Sequence, residues 1–296
     1  MDKPLVTVAI PFYNNAATLC EAVQSVFAQT YTSWELLLID DGSTDHSLSL
    51  VREIADPKVR VFHDGTNRGL IARLNQIPQW AQGQYIARMD GDDMMLPHRL
   101  EKQVAWMEAH PQYQGVDAAA YSIDQSNNPI GVRGLSPIAQ DPRDILKHCR
   151  SIHGTVLAKA QWFAGHPYDP RFLRAEDYEL WCRTAQDHNF GRVQEPLYLL
   201  REGKVSISNY CKSMKTLRKI FRQYGPVYMQ DGAWRKEIIK TYGKEMLYRF
   251  AGILGWQDRL SARRNQSLNL PQKQEVKAAL ALIQQQVVPG LKVPMQ

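Results

Sequence analysis

The sequence predicts an α/β protein: a mostly parallel sheet flanked by helices. Strand-like and helix-like runs alternate through its N-terminal third, at lengths that suit β-α-β units. The first strand run, LVTVAI (Leu5 to Ile10), is β-branched and apolar on both faces, as expected of a strand covered above and below. AATLCEAVQSVFAQ then sets Leu19, Val23, Val26 and Phe27 at helical spacing, and WELLLID forms a second strand. STDHSLSLVREIA is a helix with Ser43 or Thr44 as its natural cap, and VRVFHD is a third strand. GLIARLNQIPQWA is helical until Pro78 kinks or ends it, and QYIARMD is a fourth strand. From Pro97 the alternation loosens. A helix PHRLEKQVAWMEAH leads to the apolar run GVDAAAYSI, a turn QSNNPIG, the segment DPRDILKHC and a strand-like GTVLA. AEDYELWCRTAQDH is a helix whose Tyr178, Trp181, Cys182 and Ala185 form one stripe, and PLYLL is the last strand. Beyond Ser208 only helices are expected, at about 210–225, 233–255 and 272–287, with a boundary near residue 205.

At 296 residues with 44% apolar and 22% charged side chains, the composition is that of a globular chain with a sizeable core. Cys20, Cys149, Cys182 and Cys211 stand far apart without a CxxC pair, which argues against a zinc site and suits a reducing cytosol. No apolar run approaches the roughly 18 to 20 residues of a spanning helix, and Pro11 and Asn14 interrupt the N-terminus before a secretory core can form. A soluble protein is expected. Charge is uneven: Arg201 to Arg264 holds fifteen Lys/Arg against five Asp/Glu, more than the whole chain's formal +6.

Ligands of open α/β sheets bind at the carboxyl ends of the strands. Pro11, Tyr13 and Asn14 follow the first strand, Asp40 and Asp41 the second, and Asp90, Asp92 and Asp93 the fourth. Turn chemistry explains DDGSTD or DGDD taken singly, but both at corresponding strand ends point to a site. The chain lacks GxGxxG after the first strand and lacks a P-loop, so neither a dinucleotide nor a Walker-type phosphate site is expected. Asp-x-Asp after a strand instead supplies hard oxygen ligands for Mg²⁺ or Mn²⁺, which in turn carries the phosphates of a nucleotide.

In order along the chain, VAIPFYN, IDDGSTD, NRGLIARLN, GQYIARMDGDDMMLPHRLEKQ and HGTVLAKAQW…YDPRFLRAEDYELWCR resemble the motif series of family 2 glycosyltransferases, from about Leu5 to Leu200. The resemblance implies a GT-A fold with a C-terminal helical extension, and inverting transfer from a nucleotide-diphospho-sugar, with UDP the expected nucleotide. It assigns Pro11 and Tyr13 to the nucleotide pocket, Asp41 to the uracil N3 proton and Arg73 to the nucleotide's vicinity, although Leu74 departs from the family's ARN spacing. Asp90 falls near ribose and metal, and Asp92 is the Mn²⁺ or Mg²⁺ ligand. Asp93 either caps the following helix at Pro97 or holds a metal-bound water. In the acidic pair Glu176 and Asp177, macrodipole stabilisation is reason enough for two acids in a first turn. The resemblance adds a catalytic base, with Asp177 the one expected. Partial burial and the adjacent Glu176 would raise its pKa toward a useful value.

Trp181 is expected in the core. His153 is read either as a phosphate or acceptor group or as a structural histidine, and Arg201 and Lys204 either as diphosphate partners or as solvated residues. The expected division is a catalytic domain over 1–204, with a nucleotide-sugar half to about 96 and an acceptor half from 97, followed by a basic helical region over 205–296. In that region YCKSMKTLRKIFRQYGPVYMQ either packs on the catalytic domain or meets an anionic membrane, and YRFAGILGW offers a second apolar surface. The implied acceptor is a glycan or lipid-linked hydroxyl in surface polysaccharide assembly, in the cytoplasm or on the inner face of the membrane. The alternatives are a nucleic-acid-binding protein using the basic tail, for which no binding motif is present, and an inactive nucleotide-binding family member.

Overall fold

The computed structural model describes residues 3–148, 151–187, 189–256 and 264–292. Cys149, the end of the expected 175–188 helix at His188 and residues 293–296 of the expected tail lie outside them. The alternation appears as β1 (Val6–Phe12), α1 (Leu19–Phe27), β2 (Trp34–Asp40), α2 (Ser47–Val51), β3 (Val59–His63), α3 (Leu70–Trp80) and β4 (Tyr85–Arg88). There follow β5 (Met94–Met95), α4 (Arg99–Ala109), β6 (Gly115–Ile123), β7 (Pro129–Arg133), α5 (Pro142–His148), β8 (Leu157–Lys159), α6 (Ala160–Gly165), α7 (Glu176–Arg183) and β9 (Phe190–Arg201). The last described helices are α8 (Ile207–Tyr228), α9 (Trp234–Ile253) and α10 (Leu270–Gln284).

The described strands form one sheet in the order β3-β2-β1-β4-β8-β6-β9-β5, with β7 beside β6. The β3-β2-β1-β4 half is parallel throughout. The other half is mixed: β8 runs antiparallel between β4 and β6, β9 is parallel to β6, and β5 is antiparallel to β9. β1 shows why its sequence is apolar on both faces. Val6, Val8 and Ile10 join one core layer under α1 and α4, while Ala9 joins the opposite layer with α3, α6 and α7. Each such Val or Ile contributes roughly 1.5–3 kcal/mol by leaving water.

Two local readings need correction. α2 starts only at Ser47, because Asp45 and not Ser43 or Thr44 accepts the Ser47 N–H (2.9 Å). Ser43 and Thr44 are instead tied to Asn14 of the β1 loop. Pro78 lies inside α3 without ending it, since the helix stops two residues later and the proline's missing N–H affects only the last turn. The tail folds back on the body: α8 packs on α5 and α7. α10 lies along α1, where the Gln24 side chain donates to the carbonyl of Gln286 (2.9 Å). No helix among the described residues is long and apolar enough to cross a membrane.

Candidate active site

The β1 loop carries Pro11, buried at the strand end, and Tyr13, half exposed. Asn14 takes a left-handed conformation (φ 54°), and its side-chain oxygen accepts the N–H groups of Thr44 (2.8 Å) and Asp45 (3.3 Å), stitching the β1 and β2 loops together. Of the two aspartates after β2, Asp40 is structural: it accepts the Ser43 N–H and pairs with His63 Nδ1 (2.7 Å). Asp41 is the centre of a buried ionic cluster. Its Oδ1 accepts the Arg68 N–H (2.8 Å) and Arg73 Nε (2.8 Å), and its Oδ2 accepts the Gly69 N–H (3.0 Å) at the start of α3. Gly42 makes this possible. It sits at φ 72°, and a Cβ there would lie 2.7 Å from the backbone nitrogen of Asn67.

Arg73 also donates to Asp64 through both terminal nitrogens (2.7 and 3.1 Å), so its guanidinium bridges the ends of β2 and β3. The spacing that departs from the family's pattern has a consequence on the helix. Residues two apart on α3 point to opposite sides, so Arg73 reaches Asp41 while Asn75 grips the backbone of Tyr168 with its N–H₂ (2.9 Å) and its oxygen (2.8 Å).

In the DGDD loop, Asp90 pairs with the buried Arg88, and its N–H donates to the Tyr198 hydroxyl (3.2 Å). Gly91 has an ordinary φ; what it supplies is room, since a Cβ would lie 3.1 Å from Phe12 Cβ. Asp92 is exposed, and its carboxyl is raised by desolvation and by the charge of Asp90. Asp93 is buried and does not cap the helix after Pro97. Its Oδ1 accepts the Arg201 N–H (2.7 Å), tying the loop to the end of β9, while its buried Oδ2 has no partner. Arg201 completes that tie through Nε to the Asp92 carbonyl (2.9 Å) and Nη2 to Glu21 (2.8 Å), so it braces the loop rather than standing free in solvent.

Glu176 and Asp177 open α7 from a loop in which Arg174 has φ 66°. α8 clamps that loop: Thr216 donates to the Leu173 carbonyl (2.9 Å) and Ser213 to that of Arg174 (3.3 Å). Burial raises the Asp177 carboxyl and Asp90 adds to the rise, while the N–H groups of the first helical turn and Arg88 pull the other way. Glu176 is raised by burial and by Asp177. Hydrogen bonds do not join Asp41, Asp92 and Asp177 to one another among the described residues. Charge links two of the loops: Asp177 feels both Arg88 and Asp90, and Tyr168 feels all three. His153 bonds Tyr168 (2.8 Å), and burial together with Arg88 holds it well below its ordinary pKa, so the ring is neutral. Trp181 is core, stacked on Trp162 at 5.8 Å.

A family model described as glycosyl transferase family 2 matches residues 7–163, the span from β1 into α6. The chain belongs to glycosyl transferase family 2. It is 38% identical over 208 residues to the putative glycosyltransferase EpsE of Bacillus subtilis, covering 67% of this chain and 73% of that one. It is 29% identical over 219 residues to the Escherichia coli UDP-Glc:alpha-D-GlcNAc-diphosphoundecaprenol beta-1,3-glucosyltransferase WfgD, covering 73% and 84%. The mannosyltransferase PcManGT of Pyrobaculum calidifontis, solved with GDP-Man and Mn2+, superposes with a TM-score of 0.57 at 18% identity, covering 96% of this chain and 87% of that one, which shows the GT-A fold.

A metal suits the residues of this family 2 site only with help from a ligand. Among the described residues no group of three or more His, Cys, Asp or Glu converges as a self-sufficient metal site does. The exposed Asp92, the adjacent Asp90 and the unpartnered Asp93 Oδ2 form an acidic cluster whose repulsion a cation would relieve. Mg²⁺ and Mn²⁺ sites commonly take only one or two carboxylates and complete their shell with phosphate and water, so the donor set fits.

Proposed function

We propose that this protein is a metal-dependent inverting glycosyltransferase that moves a sugar from a UDP-sugar to a hydroxyl of a glycan or lipid-linked acceptor in cell-surface polysaccharide assembly, on the cytoplasmic side of the membrane. The observation that carries the reading is that the base candidate Asp177, far away in sequence, feels the charges of the Arg88–Asp90 ion pair at the end of β4. Support for UDP comes from Asp41. Three N–H groups hold its carboxylate in place, and Oδ2 carries a single bond at 3.0 Å, leaving a lone pair for the imide N–H of uracil. WfgD, a relative at 29% identity, is named for a UDP-sugar donor and a lipid-diphosphate acceptor.

Pro11 and Tyr13 would flank the base, Arg73 would fix Asp41, and Asp90 would lie toward the ribose. Asp92 with Asp90 would hold Mn²⁺ or Mg²⁺, which when bound neutralises charge on the departing diphosphate. Asp177 accepts the acceptor hydroxyl's proton as that oxygen bonds to the anomeric carbon. The bond from that carbon to the phosphate oxygen breaks, its electron pair leaves with the nucleoside diphosphate, and the configuration inverts. Glu176 adjoins Asp177 and is itself raised by burial and by the Asp177 charge, whereas the rise of Asp177 comes from burial and Asp90. The test is a panel of nucleotide-sugars with Mn²⁺ or Mg²⁺, with and without chelator, and the product anomer read by NMR. A preferred UDP-sugar, chelator-sensitive turnover and an inverted product are expected; turnover indifferent to chelator, or a retained configuration, would contradict the reading.

A further inference from the structure

The basic helical region splits its two tasks between two helices. α8, whose sequence first invites a membrane role, buries its apolar side: Met214, Ile220, Phe221 and Tyr224 are core residues. α9 does the reverse. The face it packs inward holds Thr241, Tyr248 and Ala251, while the opposite face exposes Ile239 (69%), Tyr242, Met246 (72%), Leu247, Phe250 (60%) and Ile253 (82%). These recur at helical spacing and make an apolar stripe about 21 Å long on solvent. A contiguous stripe of this kind marks an interaction surface.

Charge says what covers it. α8 carries five Lys/Arg and no Asp/Glu, and α9 carries five Lys/Arg against two Asp/Glu. Both α9 acids are consumed in ion pairs, Glu237 with Lys240 and Glu245 with Arg218 and Arg249. No carboxylate pairs with Lys212, Lys215, Lys236 or Lys244 among the described residues. Beside the stripe, between α8 and α9, lies a cleft of about 470 Å³ lined by Lys212, Lys215, Arg218 and Arg249 with Glu245 the sole acid. A two-fold pairing of α9 with a second copy would set these basic flanks against each other. A bilayer bearing anionic headgroups satisfies both features: the stripe enters the acyl boundary and the cations meet phosphate.

We propose that α9 is the membrane-docking element, lying in the plane of an anionic lipid surface with Met246 and Phe250 inserted and the α8–α9 cleft seating a lipid phosphate. Because α8 also clamps the loop that presents Asp177, docking holds the candidate active site at a fixed position relative to the membrane. The inference needs neither the donor nor the acceptor reading, and its test needs no turnover.

The full chain is sedimented with phosphatidylglycerol/phosphatidylcholine vesicles and with pure phosphatidylcholine vesicles. Binding to the anionic vesicles, weakened by added salt, is expected. Met246→Glu with Phe250→Glu should cut partitioning by roughly 10- to 100-fold or more while leaving the melting temperature unchanged. Lys212→Glu with Lys215→Glu should weaken binding most at low salt, and Asp177→Asn should bind like the parent. Failure of the parent to bind anionic vesicles overturns the proposal, as does binding undiminished by the stripe variants. So does a dimer in solution that those variants dissolve, which would make the stripe a self-association surface.

Discussion

Arg73→Lys separates the geometry of the Asp41 cluster from its charge. The wild-type guanidinium is 2% exposed and reaches Asp41 at 2.8 Å on one side and Asp64 at 2.7 Å on the other. A lysine carries one compact, strongly hydrated charge that cannot serve both, and it follows the partly exposed Asp64 and leaves Asp41. The Asp64 arm is partly exposed, 35% at the side chain, and counts for little in stability. Leaving Asp41 without its buried cation costs ~3 kcal/mol, at the lower end for a broken buried pair, because the Arg68 and Gly69 N–H groups remain. For a chain of this size that is a fall of about 6–12 °C in melting temperature. If Asp41 orients uracil, UDP affinity should fall about tenfold or more in the same variant. Differential scanning fluorimetry with and without UDP reads both effects. A melting temperature unchanged by the substitution refutes the energetic reasoning, and a normal UDP shift refutes the role given to Asp41.

Arg201→Ala removes the brace on the DGDD loop, so the Mn²⁺ concentration for half-maximal activity should rise several-fold while UDP binding without metal changes little. An unchanged metal titration would return Arg201 to a purely structural role. The pH profile of kcat should have an acid limb above the ordinary aspartate range. Burial raises Asp177, a base works only when deprotonated, and activity is therefore lost as pH falls through the raised value. His153 adds no limb near neutrality because it is already neutral there. The same shift makes Asp177→Asn more stable than the parent at neutral pH. Above its raised folded-state pKa the parent holds a buried charge that the unfolded chain solvates freely, and the gain should vanish at pH values below the unfolded-state pKa, where the parent's carboxyl is protonated in both states. Equilibrium urea unfolding of both proteins at neutral and acid pH checks the sign.

The parallel half of the sheet was legible because β1, β2 and β4 repeat one physical pattern: an apolar strand with polar groups at its carboxyl end, Pro11, Tyr13 and Asn14 after β1 and aspartates after β2 and β4. β5 was not, since a strand of two residues has no periodicity to detect; β8 was visible as the strand-like GTVLA, but its shorter extent and its antiparallel place come only from pairing with β4 and β6. Among the site residues, the aspartates were visible as strand-end clusters. Their supports were not: Arg88, Tyr168 and Tyr198 read locally as an interior strand residue, a loop and part of the last strand, and Arg201, read as a diphosphate partner or a solvated residue, gave no sign of bracing the DGDD loop. Arg99 was equally silent. It is fully buried beneath the DGDD loop, bonded to the Arg88 carbonyl (3.0 Å) and Gln103, with its ring neighbour Tyr198 at 5.1 Å, and burial pushes its pKa down to about 10. Asp64 was findable, because the rule that drew attention to Asp41 and Asp90 also applies to the end of VRVFHD. The stripe on α9 was visible only at its C-terminal end, where YRFAGILGW reads as an apolar surface; Ile239, Tyr242 and Met246 stand among charged residues and drew no notice. The apolar side of α8 packs inward while that of α9 does not, and the burial of Tyr248 on the opposite face is what reveals it.

The central claim is that Asp177 takes the proton from the acceptor hydroxyl. Asp177→Asn keeps the shape and removes the base, so kcat with the preferred UDP-sugar should fall about 10² to 10⁴-fold while the Kd for that UDP-sugar, measured by calorimetry, stays within about twofold. Turnover near that of the parent, or a UDP-sugar Kd lost together with kcat, would contradict it.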